Sequence, residues 1–273
     1  MKTHAELYTN DMVLRRSFGS RPKKGGGGRR GEINELSSAS VRRLVFLLQN
    51  TAVSFESFLT MTYPTTWPSD GRAVRGDRNA FLSWLRKWYS FEYVWWLEFQ
   101  SRGAPHFHMV TTITWSVADM LRVEPAWERV VKHRNPTLVD RYGAMSKYGC
   151  DFERLRYKDG AARYVACYAK KMYQKEVPPC YRNVGRWWAA SRGVAAEPVG
   201  DASAGGDQRR AVLTVLSDLG WSYANKMLAR LDDGTGMEPP TTLYNVAGFL
   251  KEKGVPWDTF MRMVESETDN DSG

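Results

Sequence analysis

The chain has 273 residues, 42% of them hydrophobic and 25% charged, a balance that excludes a wholly disordered or fibrous protein and leaves room for one large domain or two smaller ones. Thirty-nine basic residues against 30 acidic ones give a net charge of +9, which favours polyanionic partners without identifying one. The apolar runs at 44–48 and 93–97 fall far short of the roughly 20 residues a bilayer span needs, the N-terminus has no signal-peptide core, and Cys150, Cys167 and Cys180 contain no CxxC pair. The expectation is a cytoplasmic protein with no membrane partner, no disulfide framework and no cysteine zinc site.

Residues 1–45 carry Arg15-Arg16, Lys23-Lys24, the run Gly25 to Gly28 and Arg29-Arg30, and read as a basic flexible arm, either a plain solvated tail or a DNA contact. Nine of the eleven tryptophans lie between Trp67 and Trp188, which places the principal domain at 46–193. Within it, 55–63 reads as a strand ended by Pro64, and a helix starting at Asp77 carries Phe81, Leu82, Leu85 and Trp88 on an apolar stripe. Residues 93–99 and 106–114 read as an antiparallel hairpin turning near Gly103. Ser116 caps a further helix toward Val131, with an interruption expected at Pro125, and a helix over about 159–173 precedes a strand around 186–190. The order strand, helix, strand, strand, helix, strand predicts an α+β domain, a ferredoxin-like antiparallel sheet with helices packed on one face. Residues 194–208 lose their large apolar side chains and read as a linker, 209–264 as a small C-terminal helical domain with Trp221 and Trp257 in its core, and 265–273 as an acidic tail.

In His106-Phe107-His108 both imidazoles point to one face of a strand, and the hairpin returns Glu98 toward them. Two imidazoles and one carboxylate leave positions open for water and substrate oxygen, which suits a divalent ion such as Mg²⁺ or Mn²⁺ better than a closed zinc site; taken alone, the pair also fits two partly exposed histidines with no ligand. The segment Tyr164 to Lys171 puts Tyr164, Tyr168 and Lys171 on one helical face. A tyrosine with a pKa near ~10 is a poor nucleophile at neutral pH, and gains force only beside a metal that polarises a phosphodiester and a lysine that neutralises developing charge. Arg182, Arg186 and Arg192, interleaved with Trp187 and Trp188, suit single-stranded DNA held by phosphate contacts and stacking, or two tryptophans packed in a core.

Phe58-Leu59-Thr60-Met61-Thr62-Tyr63, Gly103-Ala104-Pro105-His106-Phe107-His108 and Tyr164 to Lys171 follow in the order found in rolling-circle replication initiators of the HUH endonuclease superfamily, which the sequence resembles over about 55–188. The YxxxYxxK spacing is similar to that of two-tyrosine initiators of single-stranded DNA phages. The resemblance implies a Rep protein of a phage or plasmid with the HUH endonuclease fold, which nicks and rejoins single-stranded DNA at an origin through a 5′-phosphotyrosine intermediate. It implies Tyr168 as primary nucleophile with Lys171 at its +3 position, Tyr164 as second nucleophile or positioning residue, and His106, His108 and Glu98 as ligands of Mg²⁺ or Mn²⁺. Lys170, Arg186 and Arg192 are the candidate DNA contacts. The expected partners are single-stranded or supercoiled origin DNA and, because the chain has no GxxxxGK[ST] loop, a host helicase with the replication machinery in a bacterial cytoplasm. A two-tyrosine transposase or a non-enzymatic nucleic-acid-binding module are the alternatives.

Overall fold

The computed structural model describes residues 2–17, 36–64, 67–134, 149–156, 161, 164–165, 177–204, 208–232 and 241–270. The chain divides into two compact units, one formed by 28–195 and the other by 1–27 together with 196–273.

In the larger unit the described elements are α1 (Ser38–Asn50), β3 (Ser57–Thr62), α2 (Gly71–Trp88), β4 (Tyr93–Phe99), β5 (Pro105–Thr111), α3 (Val117–Arg134), β6 (Cys150–Arg154) and β7 (Trp188–Ala190); β1 (Lys2–Leu7) and β2 (Met12–Ser17) precede them and belong to the smaller unit. Ala161, Tyr164 and Val165 are helical. The five strands form one antiparallel sheet in the order β6-β3-β5-β4-β7. A strand, helix, strand, strand, helix, strand order is present as β3, α2, β4, β5, α3, β6 in an α+β architecture, but its last strand is the unexpected β6; the strand expected around 186–190 is β7, at the sheet edge beside β4.

Local signals account for the boundaries. Asp70 caps α2 by accepting a hydrogen bond from the Ala73 amide at 3.2 Å, and the Asn183 amide, donating at 2.8 Å, holds its carboxyl below the ordinary range. The helix therefore starts six residues before Asp77, which lies fully buried inside it and accepts from the Tyr63 hydroxyl at 2.9 Å. Gly71 is required at the first turn because a Cβ there would stand 2.4 Å from Asn183 Oδ1 and 2.7 Å from the Val184 amide nitrogen. Ser116 and Asp119 form a reciprocal cap for α3, which runs through Pro125 without interruption; that proline lies on the exposed face, so the hydrogen bond it cannot donate is on the solvent side. Gly103, with φ +82°, closes the β4–β5 turn as expected.

Helices cover both faces of this sheet, not one. Leu59, Met61, Trp95, Leu97, Phe107 and Met109 pack against Phe81, Leu82 and Leu85 of α2 and Val123, Ala126 and Trp127 of α3. On the reverse face Phe58, Val94, Trp96 and Val110 pack against Leu44 and Leu48 of α1 and against Ala161 and Val165. The run Tyr-Val-Trp-Trp-Leu-Glu-Phe of β4, buried at every position, is the signature of a strand covered on both sides.

The smaller unit departs furthest from expectation. Instead of an arm over 1–45, β1 and β2 pair in register from Lys2↔Ser17 to Leu7↔Met12, and α1 already starts at Ser38; the Lys23-Lys24 and glycine runs lie outside the described residues. Instead of a continuous linker over 194–208, β8 (Gly200–Ala204) pairs with β1, and β9 (Thr241–Leu243) pairs with β2, in the order β8-β1-β2-β9. With α4 (Arg209–Asp218), α5 (Ala224–Asp232), α6 (Val246–Glu252) and α7 (Trp257–Asn270), this unit is α+β, not purely helical, and α7 carries the helix well into the expected acidic tail. Its core joins Ala5, Met12 and Leu14 of the sheet to Val212, Leu216 and Phe260 of the helices and to Trp221 in the connection between α4 and α5, with Trp257 packed at its edge.

Because β1 and β2 are the two central strands, removing residues 1–17 leaves β8 and β9 without partners. Hydrogen exchange on the truncated chain is expected to show amide protection lost in β8 and β9 and kept in β4 and β5; unchanged protection in β8 would contradict the pairing.

Candidate active site

Register builds the site. Across β3, β5 and β4, Thr60 pairs with His108 and His108 with Trp96; one step along, Thr62 pairs with His106 and His106 with Glu98. Alternation then turns all six side chains to the same face, the one that also carries Phe58 and Val110. Phe107 and Met109 point the other way, into the core under α2 and α3.

Each histidine meets a threonine hydroxyl at the same ring nitrogen: Thr60 Oγ1 lies 3.1 Å from His108 Nδ1, and Thr62 Oγ1 lies 3.0 Å from His106 Nδ1. A hydroxyl on Nδ1 fixes the ring orientation and, where it accepts the Nδ1 proton, leaves Nε2 with its lone pair. The two rings stand 4.4 Å apart and nearly perpendicular. Glu98, 5% exposed, places Oε2 3.4 Å from Nε2 of His108, itself 3% exposed, while the Trp96 indole donates to Glu98 Oε1 at 3.4 Å. His106 is less buried and lies toward the hairpin turn, where the Gln100 amide reaches its Nδ1 at 3.4 Å. Arg102 in turn donates to Gln100 Oε1 at 2.8 Å and to the carbonyls of Tyr63 and Pro64 at 2.6 and 2.8 Å, tying the hairpin tip to the end of β3.

Tyr164 enters from the helical segment that covers this face. Its ring lies 4.3 Å from Phe58, 6.0 Å from His108 and 6.2 Å from Trp96. The structure thus gathers His106, His108, Glu98 and Tyr164. Tyr168, Lys170 and Lys171 lie outside the described residues, as does Cys167; Cys150 and Cys180 are free thiols. Trp187 and Trp188 are core residues: Trp187 packs on Phe99 and Trp188 packs on the α1 side, donating to Ser40 Oγ at 2.9 Å. Arg192 is exposed, and Arg186, whose carbonyl accepts from Arg78 of α2, lies on the α2 side of the sheet, away from the histidines.

In kind, two imidazoles and a carboxylate, with His108 and Glu98 buried and His106 partly so, fit a divalent cation. In arrangement, Glu98 touches His108 with His106 beside it, and among the described residues no three His, Cys, Asp or Glu groups converge on one point. Thr60 and Thr62 were not among the expected site residues. Their signal is present in the sequence: a Thr-x-Thr alternation in phase with His-x-His.

Residues 56–173 match the family model of the Replication-associated protein ORF2 type. That stretch is somewhat under half of the chain and contains every residue gathered at the site. The match supports a replication-initiator, Rep-like protein and, with it, a role in DNA replication and in contact with DNA. No curated protein and no solved structure matches the chain. Among the described residues no helix is long and apolar enough to cross a membrane.

Thr60→Val keeps the shape of the side chain and removes the hydroxyl from buried His108 Nδ1. The expected cost is about 1–3 kcal/mol in chemical denaturation, with a changed tautomer population of His108 in ¹⁵N imidazole spectra; Thr62→Val, at a less buried ring, is expected to cost less.

Proposed function

We propose that the protein initiates rolling-circle replication by nicking and rejoining one strand of origin DNA, with a tyrosine of the helix carrying Tyr164 as nucleophile. The observation that supports this is the meeting of Thr60, Thr62, His106 and His108 on one sheet face with Tyr164 over it, its ring 6.0 Å from His108. The βαββαβ order of the larger unit is that of a ferredoxin-like domain, in line with an HUH endonuclease fold.

In this reading Tyr168 is the primary nucleophile. Tyr164 packs on Phe58 and Trp96 and acts as second nucleophile or as positioning residue; by sequence spacing Tyr168 follows it by one helical turn. The phenolic oxygen attacks the scissile phosphorus as its proton departs, an O–P bond to tyrosine forms, and the bond from phosphorus to the 3′ oxygen breaks. The leaving oxygen takes up a proton and becomes a free 3′-hydroxyl. No water is consumed, so the phosphodiester is exchanged for a 5′-phosphotyrosine and the step reverses when a 3′-hydroxyl attacks it. His106, His108 and Glu98 would hold Mg²⁺ or Mn²⁺, which supplies Lewis-acid polarisation of the phosphoryl group. Thr60 and Thr62 orient the two imidazoles, and Lys171 offsets the negative charge on the phosphoryl oxygens. The free 3′ end passes to the host polymerase, with a host helicase opening the duplex.

The test uses labelled single-stranded oligonucleotides tiling the replicon's origin. A covalent adduct is expected with Mg²⁺ or Mn²⁺, absent in chelator and reduced by about 100-fold or more in His108→Ala, and Thr60→Val is expected to weaken metal affinity by about 10–100-fold. Full activity of His106→Ala/His108→Ala in chelator would exclude the metal assignment.

The adduct should disappear in Tyr168→Phe, and Tyr164→Phe should nick once but fail in strand transfer. Peptide mapping of the wild-type adduct to Tyr164 would exchange the two roles, and an adduct in the double Phe variant would end tyrosine chemistry on this helix.

A further inference from the structure

The solvent face of α2 has an unusual composition. Its exposed residues Arg72, Arg75, Asn79, Ser83, Arg86 and Lys87 recur at helical spacing along one stripe, opposite the buried row Val74, Phe81, Leu82 and Leu85. Every one of the six carries hydrogen-bond donors, four are cations and none is an acid. The single carboxylate within α2, Asp77, is buried on the other side with Tyr63. Asp70, next to Arg72, is committed to the Ala73 amide and to Asn183. Arg86 donates to the Tyr93 hydroxyl, a neutral partner that leaves its charge uncompensated. Among the described residues none of the four cations has a carboxylate within ion-pair distance.

Neighbouring positive charge adds to this face. The Arg186 carbonyl is tied to Arg78, which lies over the Trp95 ring at 3.9 Å. Burial first, and then the charge of Arg75, push the Arg78 guanidinium down to about 10, with Arg186 acting in the same direction. Apart from the pull of Asp70 on Arg72, the cations here crowd one another with little compensation, which favours an anionic partner.

We propose that this face of α2 docks duplex DNA, gripping its phosphate backbone through Arg72, Arg75, Arg86 and Lys87 with Arg186 alongside, on the side of the sheet opposite His106 and His108. The stripe from Arg72 to Arg86 covers about 21 Å at ~1.5 Å per residue, the length of about six base pairs at ~3.4 Å each. A straight, rigid row of donors suits the regular phosphates of a duplex. Single-strand grooves need a series of aromatic platforms, and the exposed aromatic of α2, Trp88, stands at its C-terminal end with Lys87 and Arg122 already over its ring. A membrane surface needs an apolar face beside the charges, and here the apolar face of α2 is already buried in the core. This surface is separate from the nicking site, and the inference stands on charge and geometry even where that reading fails.

The test compares two variants of the full chain by fluorescence anisotropy with a 20-base-pair duplex across a salt series. R72Q/R75Q/R86Q/K87Q removes the stripe; K226Q/R230Q/K251Q/K253Q removes the same charge from the smaller unit. Glutamine is a good helix former, and circular dichroism checks that both variants fold. The α2 variant is expected to lose about tenfold or more in duplex affinity and to flatten the log–log salt slope by up to about four, while the other variant stays near wild type. Equal losses in both variants would reduce the effect to net charge and overturn the proposal. A loss confined to single-stranded DNA, or none, would overturn it as well. Cleavage of a short single-stranded oligonucleotide is expected to survive in the α2 variant and to fail in His108→Ala, so the two readings fall separately.

Discussion

The pairing register of β3, β5 and β4 is the constraint on which the site depends. Thr60 opposite His108 and Thr62 opposite His106 is a two-point match, and a slip of one residue in either strand would turn the threonines to the far face and leave both imidazoles without a hydroxyl. The register is held from both ends. At one end Ser57 donates to the Ile113 carbonyl at 2.7 Å and meets the Thr111 hydroxyl at 3.2 Å. At the other, Arg102 clasps the carbonyls that follow β3. Beneath, the filled core of Phe107, Met109, Leu59 and Met61 makes any slip bury polar groups in its place.

Burial grades along the same face. Phe58, Val94 and Val110 are sealed under α1 and the Tyr164 segment, His108 sits at the edge of that cover, and His106 lies toward the open hairpin end. Apolar cover therefore supports one side of the imidazole pair and leaves the other side accessible. Beside a low-dielectric wall the attraction of the Glu98 carboxylate for a cation is stronger than in water.

The parts of this arrangement that rest on local pattern were legible in the sequence. His106 and His108 on one face, the turn at Gly103 and the return of Glu98 all follow from period-two alternation and a short loop, and the structure keeps each of them. What could not be read was set by distant partners. Lys2–Leu7 and Met12–Ser17 are short and, at Arg15-Arg16, basic, and they become strands because Gly200–Ala204 and Thr241–Leu243 flank them from the other end of the chain. Propensity in isolation is a weak guide where cross-strand neighbours decide. The second layer of helices escaped for a related reason: an apolar run such as Val94 to Leu97 shows that both sides are buried but not by what. Thr60 and Thr62 stand out in the sequence as part of a motif, but their contact with the imidazoles follows only from the register of β3 against β5.

The pairing of β1 with β8 makes 28–195 an insertion within the other unit, and this sets an order of events during synthesis. The first strands leave the ribosome early, yet the second partner of β1 is made about 200 residues later. At roughly 5–20 residues per second, that is a wait on the order of 10–40 s. Throughout it the β1–β2 hairpin has two open edges, and every strand of the larger unit is made before it ends. A two-stranded hairpin is only marginally stable by itself. An open edge is a template for pairing with a neighbouring chain, so the late arrival of β8 and β9 closes a hazard as well as a sheet.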